Sequence, residues 1–148
     1  MTFGMVGLLL GAMVAAPDSG MEHSVRIDHR SGAVESQYNA DVRITHKQVG
    51  TVGVGGRPST LRCMWSAGLV VDRQARHASG STMARSFAHD GVVEGSRPGW
   101  CSAQRSSIAQ EVAARQPELR ERLVRLAQDD HGVLHAEIDR MHGTTQAG

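Results

Sequence analysis

The sequence predicts an α+β fold, an antiparallel β-meander of about four strands followed by two helices packed on one sheet face. Three observations carry this. Apolar side chains recur at every second position in the first two-thirds of the chain, the period lengthens to three or four residues after position 99, and the strands are joined by turn-like junctions. The chain has 148 residues, the size of one domain, and 40% hydrophobic with 21% charged residues is a globular composition.

The first 16 residues, MTFGMVGLLLGAMVAA, carry no charged side chain. They match the apolar core of an export signal with Ala15 or Ala16 before the cut, and are too short to span a membrane. Residues 17–23 read as a flexible linker, 24–142 as a single globular domain and 143–148 as a disordered tail. The expected location is therefore periplasmic or secreted, with no membrane span in the mature form.

A first strand is expected at roughly 24–30, where Val25, Ile27 and His29 alternate with Arg26, Asp28 and Arg30. Ser31-Gly32 reads as the hairpin turn into a second strand at 33–48. There Val34, Ser36, Tyr38, Ala40, Val42, Ile44 and His46 share one face, with polar residues on the other. The third strand, 60–76, puts Leu61, Cys63, Trp65, Ala67, Leu69 and Val71 on its apolar face. A weaker fourth strand at 81–89 pairs Met83 with Phe87 on one face. The glycine-rich stretch GTVGVGG (50–56) lacks the Gly-Lys-Ser/Thr of a phosphate loop, and no helix pattern follows it, so it reads as a connecting loop.

A first helix is expected at 99–115, with Cys101, Arg105, Ile108, Val112 and Arg115 at helical spacing. Pro117 and Glu118 suit the first turn of a second helix, 117–142, whose stripe is Leu119, Leu123, Leu126, Ala127, Leu134, Ile138 and Met141. Three Glu–Arg pairs, 111/115, 118/122 and 121/125, stand in the favourable i,i+4 order. Asp130 and Glu137 lie on or beside the apolar stripe. A carboxylate buried there needs a partner, and Arg62, Arg73, Arg105 and Arg115 are the candidates.

Cys63 and Cys101 are the only cysteines. No Cys-x-x-Cys exists for zinc, and the surroundings of Cys101 lack the pattern of a thiol protease. In an exported chain, two cysteines are expected to pair. Cys63 lies on the face the helices should cover and Cys101 opens the first helix, so a 63–101 disulfide is expected. Trp100, beside it, is expected to help cover the sheet.

Net charge is +1, without any block of like charge, which gives no basis for nucleic-acid binding. Fifteen arginines against the single Lys47 fit a GC-rich coding sequence. No Gly-x-Ser-x-Gly or Ser-x-x-Lys occurs, so no catalytic residue and no cofactor is assigned. The leading expectation is a non-enzymatic binding or assembly module whose partner is a protein or other component of the cell envelope. A partner strand would add to the first or fourth strand of the sheet.

Two alternatives stand beside it. His131, His135, Asp139 and His142 share one face of the second helix and offer a metal-binding surface. Gly132 follows His131 where a zinc-protease helix has glutamate, so metal-assisted proteolysis is not indicated. That face lies largely opposite the apolar stripe, so a solvated surface is the expectation and no metal ligand is assigned. The other alternative is a hydrolase with a nonstandard site, in which a serine, a histidine and an aspartate distant in sequence converge in space.

Overall fold

The computed structural model describes residues 20–143. The proposed export signal and all but the first residue of the expected tail lie outside the described residues. Four strands, β1 (Met21–His29), β2 (Gly32–Val49), β3 (Arg62–His77) and β4 (Thr82–Pro98), precede two helices, α1 (Cys101–Ala114) and α2 (Gln116–Gly143). The strands pair in chain order, all antiparallel, and both helices pack on the sheet. This is the predicted α+β meander.

The period-two pattern sets which face is covered. Tyr38 and Ala40 of β2, with Cys63, Trp65, Ala67, Leu69 and Val71 of β3, point into the layer between sheet and helices. Ile108 and Val112 of α1 and Leu119, Leu123, Leu126 and Ala127 of α2 meet them there. Each fully buried leucine contributes about 1.5–3 kcal/mol. A second, smaller cluster of Ile27, Val34, Ala75, Met83, Leu134 and Ile138 lies beneath the C-terminal half of α2. Met141, expected in the stripe, is 40% exposed, and Trp100 is 53% exposed rather than covering the sheet.

Two strand boundaries differ from the expected ones by more than two residues. β1 begins at Met21, inside the stretch read as linker, because the Met21 side chain is buried opposite Ala40. β4 continues nine residues beyond His89, to Pro98. Its register against β3 shifts between Ala67 and Leu69, so Asp90, Gly91 and Val92 bulge opposite Gly68 and the alternation breaks there. Gly68 has no room for a side chain, since a Cβ would sit 2.6 Å from the His89 carbonyl oxygen.

The sheet is fastened to α1 at one end. Cys63 and Cys101 form the expected disulfide across a sequence separation of 38. Gln48 stitches the same corner. Its Oε1 accepts the Cys101 amide at 2.7 Å, and its Nε2 donates to the Arg62 and Gly99 carbonyls at 3.1 Å. The amide at the start of α1 thus bonds a strand side chain, and the N-cap residue Trp100 makes no side-chain cap. Of the three expected helical pairs, Glu121–Arg125 forms at 2.6 Å. Glu111 instead reaches Arg97 on β4, and Glu118 pairs with Arg115.

β2 is twice as long as its outer neighbour, 18 residues against 9. β1 pairs with residues 32–40 only, so among the described residues Asp41–Val49 have a strand on the β3 side alone. No helix among the described residues is long and apolar enough to cross a membrane.

Candidate functional site

Two polar clusters are built between the sheet and α2. The first joins β2, β3 and β4 to the middle of α2. Arg73 follows Val71 on the inward face of β3 and is fully buried. Its Nε donates to Asp130 Oδ2 at 2.8 Å and its Nη1 to Glu137 Oε2 at 3.0 Å. Tyr38 Oη donates to Asp130 Oδ2 at 2.9 Å, and Arg85 closes the cluster on Asp130 Oδ1.

Burial works against the Asp130 charge, but the hydrogen bonds from Arg73, Arg85 and Tyr38 outweigh it and hold the carboxyl below the usual range. Burial likewise works against the Arg73 charge, and Glu137 and Asp130 overcome it. Burial, reinforced by Asp130, pushes the Tyr38 phenol up. Of the four arginines expected as partners, Arg73 takes both carboxylates, and Arg85, outside that set, is the second on Asp130. Every strong donor and acceptor here is matched within the protein, which makes this cluster a lock between sheet and helix.

The second cluster lies at the hairpin end of the sheet. The β1–β2 turn is His29-Arg30-Ser31-Gly32 and the β3–β4 turn begins His77-Ala78-Ser79-Gly80, the same His-x-Ser-Gly pattern twice. Each fixes its histidine in the same way. The Ser31 amide donates to His29 Nδ1 at 3.1 Å, and the Ser79 amide donates to His77 Nδ1 at 3.0 Å. A backbone N–H can only donate, so both Nδ1 atoms are acceptors and the ring protons sit on Nε2.

The remaining bonds then acquire a direction. His77 Nε2–H donates to Ser31 Oγ at 3.0 Å, Ser31 Oγ–H donates to His29 Nδ1 at 2.6 Å, and His29 Nε2–H donates to Asp139 Oδ1 at 2.9 Å. The result is one chain, His77–Ser31–His29–Asp139, linking both hairpins to α2. The hydrogen bond from His29 holds the Asp139 carboxyl below its ordinary range, and the nearby Arg30 guanidinium adds favourable charge.

The histidine face of α2 is therefore not simply solvated. His135 lies edge-on to His29 with ring centroids 4.7 Å apart, and His142 packs on His77 at 4.4 Å. His131 stays exposed one turn away, its ring 6.5 Å from that of His135. The donor atoms of His29, His135 and Asp139 all lie within 4.8 Å of one another. The structure thus separates the expected set of His131, His135 and His142, and it brings in His29, Ser31 and His77 from the sheet. The repeated His-x-Ser-Gly tetrapeptide was the available signal for them.

Compared with known proteins, the chain matches no family model, no curated protein and no solved structure. What the site does has to be read from its own geometry.

His77 gives the site a pH signature. Burial lowers its pKa below 6.5, and the neighbouring His142 and His29 lower it further. Of the groups around it, His142 comes from α2, His29 from β1, and Ser31, Ser79 and Ser81 from the turns. With the folded pKa below the unfolded one, the unfolded state takes up the proton first as pH falls. Stability is then full above about 6.5 and declines below it. Urea midpoints measured between pH 7.5 and 5.5 are expected to fall, and to fall less in His77→Gln. Parallel profiles for the two proteins would refute the assignment.

Proposed function

We propose that the protein is an exported, non-enzymatic binding module that accepts a partner strand on the open outer edge of β2. The observation that carries this reading is the nine-residue edge Asp41–Val49, which has no partner beyond β1 among the described residues. An unpaired strand edge offers a row of backbone donors and acceptors to an extended peptide. Val42 and Ile44 stay half-buried at the rim of the core, while Arg43 and Lys47 are exposed on the opposite face. The fitting partner is an extended segment of an envelope protein, apolar at alternate positions and acidic between them. The β4 edge is less suited, because its bulge at Asp90–Val92 interrupts the ladder.

The probe is a nine-residue peptide of alternating valine and glutamate, with a valine–lysine peptide as control. Amide exchange of residues 41–49 is expected to slow with the first and not with the second. No protection by either peptide would overturn the reading. The disulfide supports the export half of the proposal, since such bonds persist in oxidising compartments. Intact mass is expected to show a cut after Ala15 or Ala16 and a mass two hydrogens below that of the reduced chain. An uncut chain with free thiols would contradict export.

The chain Ser31–His29–Asp139 favours a second, hydrolytic reading, because it has the polarity of a nucleophile, a base and an orienting carboxylate. Against it, His77–Ser79 repeats the local geometry as part of a turn. A fluorophosphonate probe separates the two. An adduct on Ser31, lost in Ser31→Ala, supports hydrolysis; an unlabelled protein supports the binding module.

A further inference from the structure

We propose that His29, His135 and Asp139 form a binding site for a single divalent transition-metal ion of the zinc class, clamping β1 to α2. The site is independent of the β2 edge. Its three donors are imidazole, imidazole and carboxylate, a set that suits zinc and its first-row neighbours. Their donor atoms lie within 4.8 Å of one another. His135 Nδ1 is 3.3 Å from Asp139 Oδ2, and His29 Nε2 is 2.9 Å from Asp139 Oδ1. Tetrahedral zinc with bonds of about 2.0–2.1 Å needs ligand atoms about 3.3 Å apart; the two contacts to Asp139, made to its different oxygens, are already near that spacing, and the widest separation closes by rotation of the partly exposed His135 and Asp139 side chains.

The supports of the three ligands differ in a way that suits a metal. His135 and Asp139 are spaced i,i+4 on α2 and face the same way, so the helix alone presents two of the ligands. His29 comes from the sheet, its side chain only 1% exposed, and is held by Ser31. The side chains of His135 and Asp139 are 48% and 41% exposed, which leaves an approach from solvent and room for water as a fourth ligand. Arg30, 3.6 Å from Asp139, is 83% exposed and free to swing aside.

Binding through His29 Nε2 requires the ring proton to move to Nδ1. Ser31 Oγ then accepts it, at the 2.6 Å already seen, in the outer-sphere arrangement usual for a metal-bound histidine. The Ser31 amide gives up its bond to the ring in an exposed turn, where water replaces it. His77, whose Nε2–H reaches the same Oγ, supports that orientation from the second hairpin. His131 is left outside, and His142 is turned towards His77.

The test is calorimetric titration of ZnCl2 into the protein purified without a histidine tag, with circular dichroism confirming the fold of each variant. One equivalent is expected to bind, and to raise the melting temperature. His135→Ala and Asp139→Asn, both at partly exposed positions, should each weaken binding at least tenfold and abolish the thermal shift. His131→Ala should bind as the parent does. No binding by the parent would overturn the proposal, as would unchanged affinity in both His135→Ala and Asp139→Asn. Loss on His131→Ala equal to that on His135→Ala would assign the metal to the helix surface and also overturn it.

Discussion

Replacing Arg73 by methionine is expected to lower the stability of the protein by about 3–5 kcal/mol, read from the urea midpoint at neutral pH. The shape of the side chain is nearly kept; the charge is not. Asp130, 2% exposed, loses its principal partner, and Glu137 loses its bond from Arg73 Nη1. Arg85 and Tyr38 remain on Asp130 but cannot supply the second carboxylate. Asp130→Asn should also destabilise, since Arg73 then faces an amide, but by less because Glu137 still neutralises it. An Arg73→Met protein as stable as the parent would mean that the cluster does not lock α2 to the sheet.

Exchanging Cys63 for serine is expected to cost about 4 kcal/mol, the chain-entropy value for a loop of this length. The separation of 38 residues spans the whole of β4 and most of β3, so the unfolded chain gains considerable freedom when the bond is lost. For a domain whose net stability is on the order of 5–15 kcal/mol, that is a large share. Reductant should destabilise the parent by a similar amount and leave the variant unchanged. Gln48 still ties β2 to the start of α1, so the reduced protein is expected to keep its fold at low temperature. Equal stability of parent and variant in oxidising buffer would show that the disulfide contributes nothing.

Parity along the strands made much of this legible in the sequence. Once Leu69 and Val71 face inward, Arg73, Ala75 and His77 must follow, and a buried arginine opposite the stripe carboxylates of α2 is the consequence. The disulfide followed from two cysteines and the face that Cys63 occupies. The second half of β4 was hidden because a bulge breaks the period on which strand reading depends. The histidine cluster was hidden for a different reason. His29 and Asp139 are 110 residues apart, and their meeting depends on how far α2 rotates as it docks, which no local pattern encodes. Taken alone, the helix pointed to His131 and His142 as companions of His135. Docking turned His142 onto the other hairpin and gave its place to a strand residue. The tetrapeptides HRSG and HASG held the only local hint, and it becomes visible when the two turns are compared.

The most direct test of the strand-accepting account is amide hydrogen exchange along β2 in the isolated protein. Residues 34–40 lie between β1 and β3, and both directions of their backbone hydrogen bonding are taken. Residues 41–49 lie between β3 and the proposed docking edge. The account predicts slow exchange throughout 34–40 and an alternating pattern over 41–49, fast wherever the N–H points outward. Uniform slow exchange from 34 to 49 would mean that the edge is already occupied, and would contradict it.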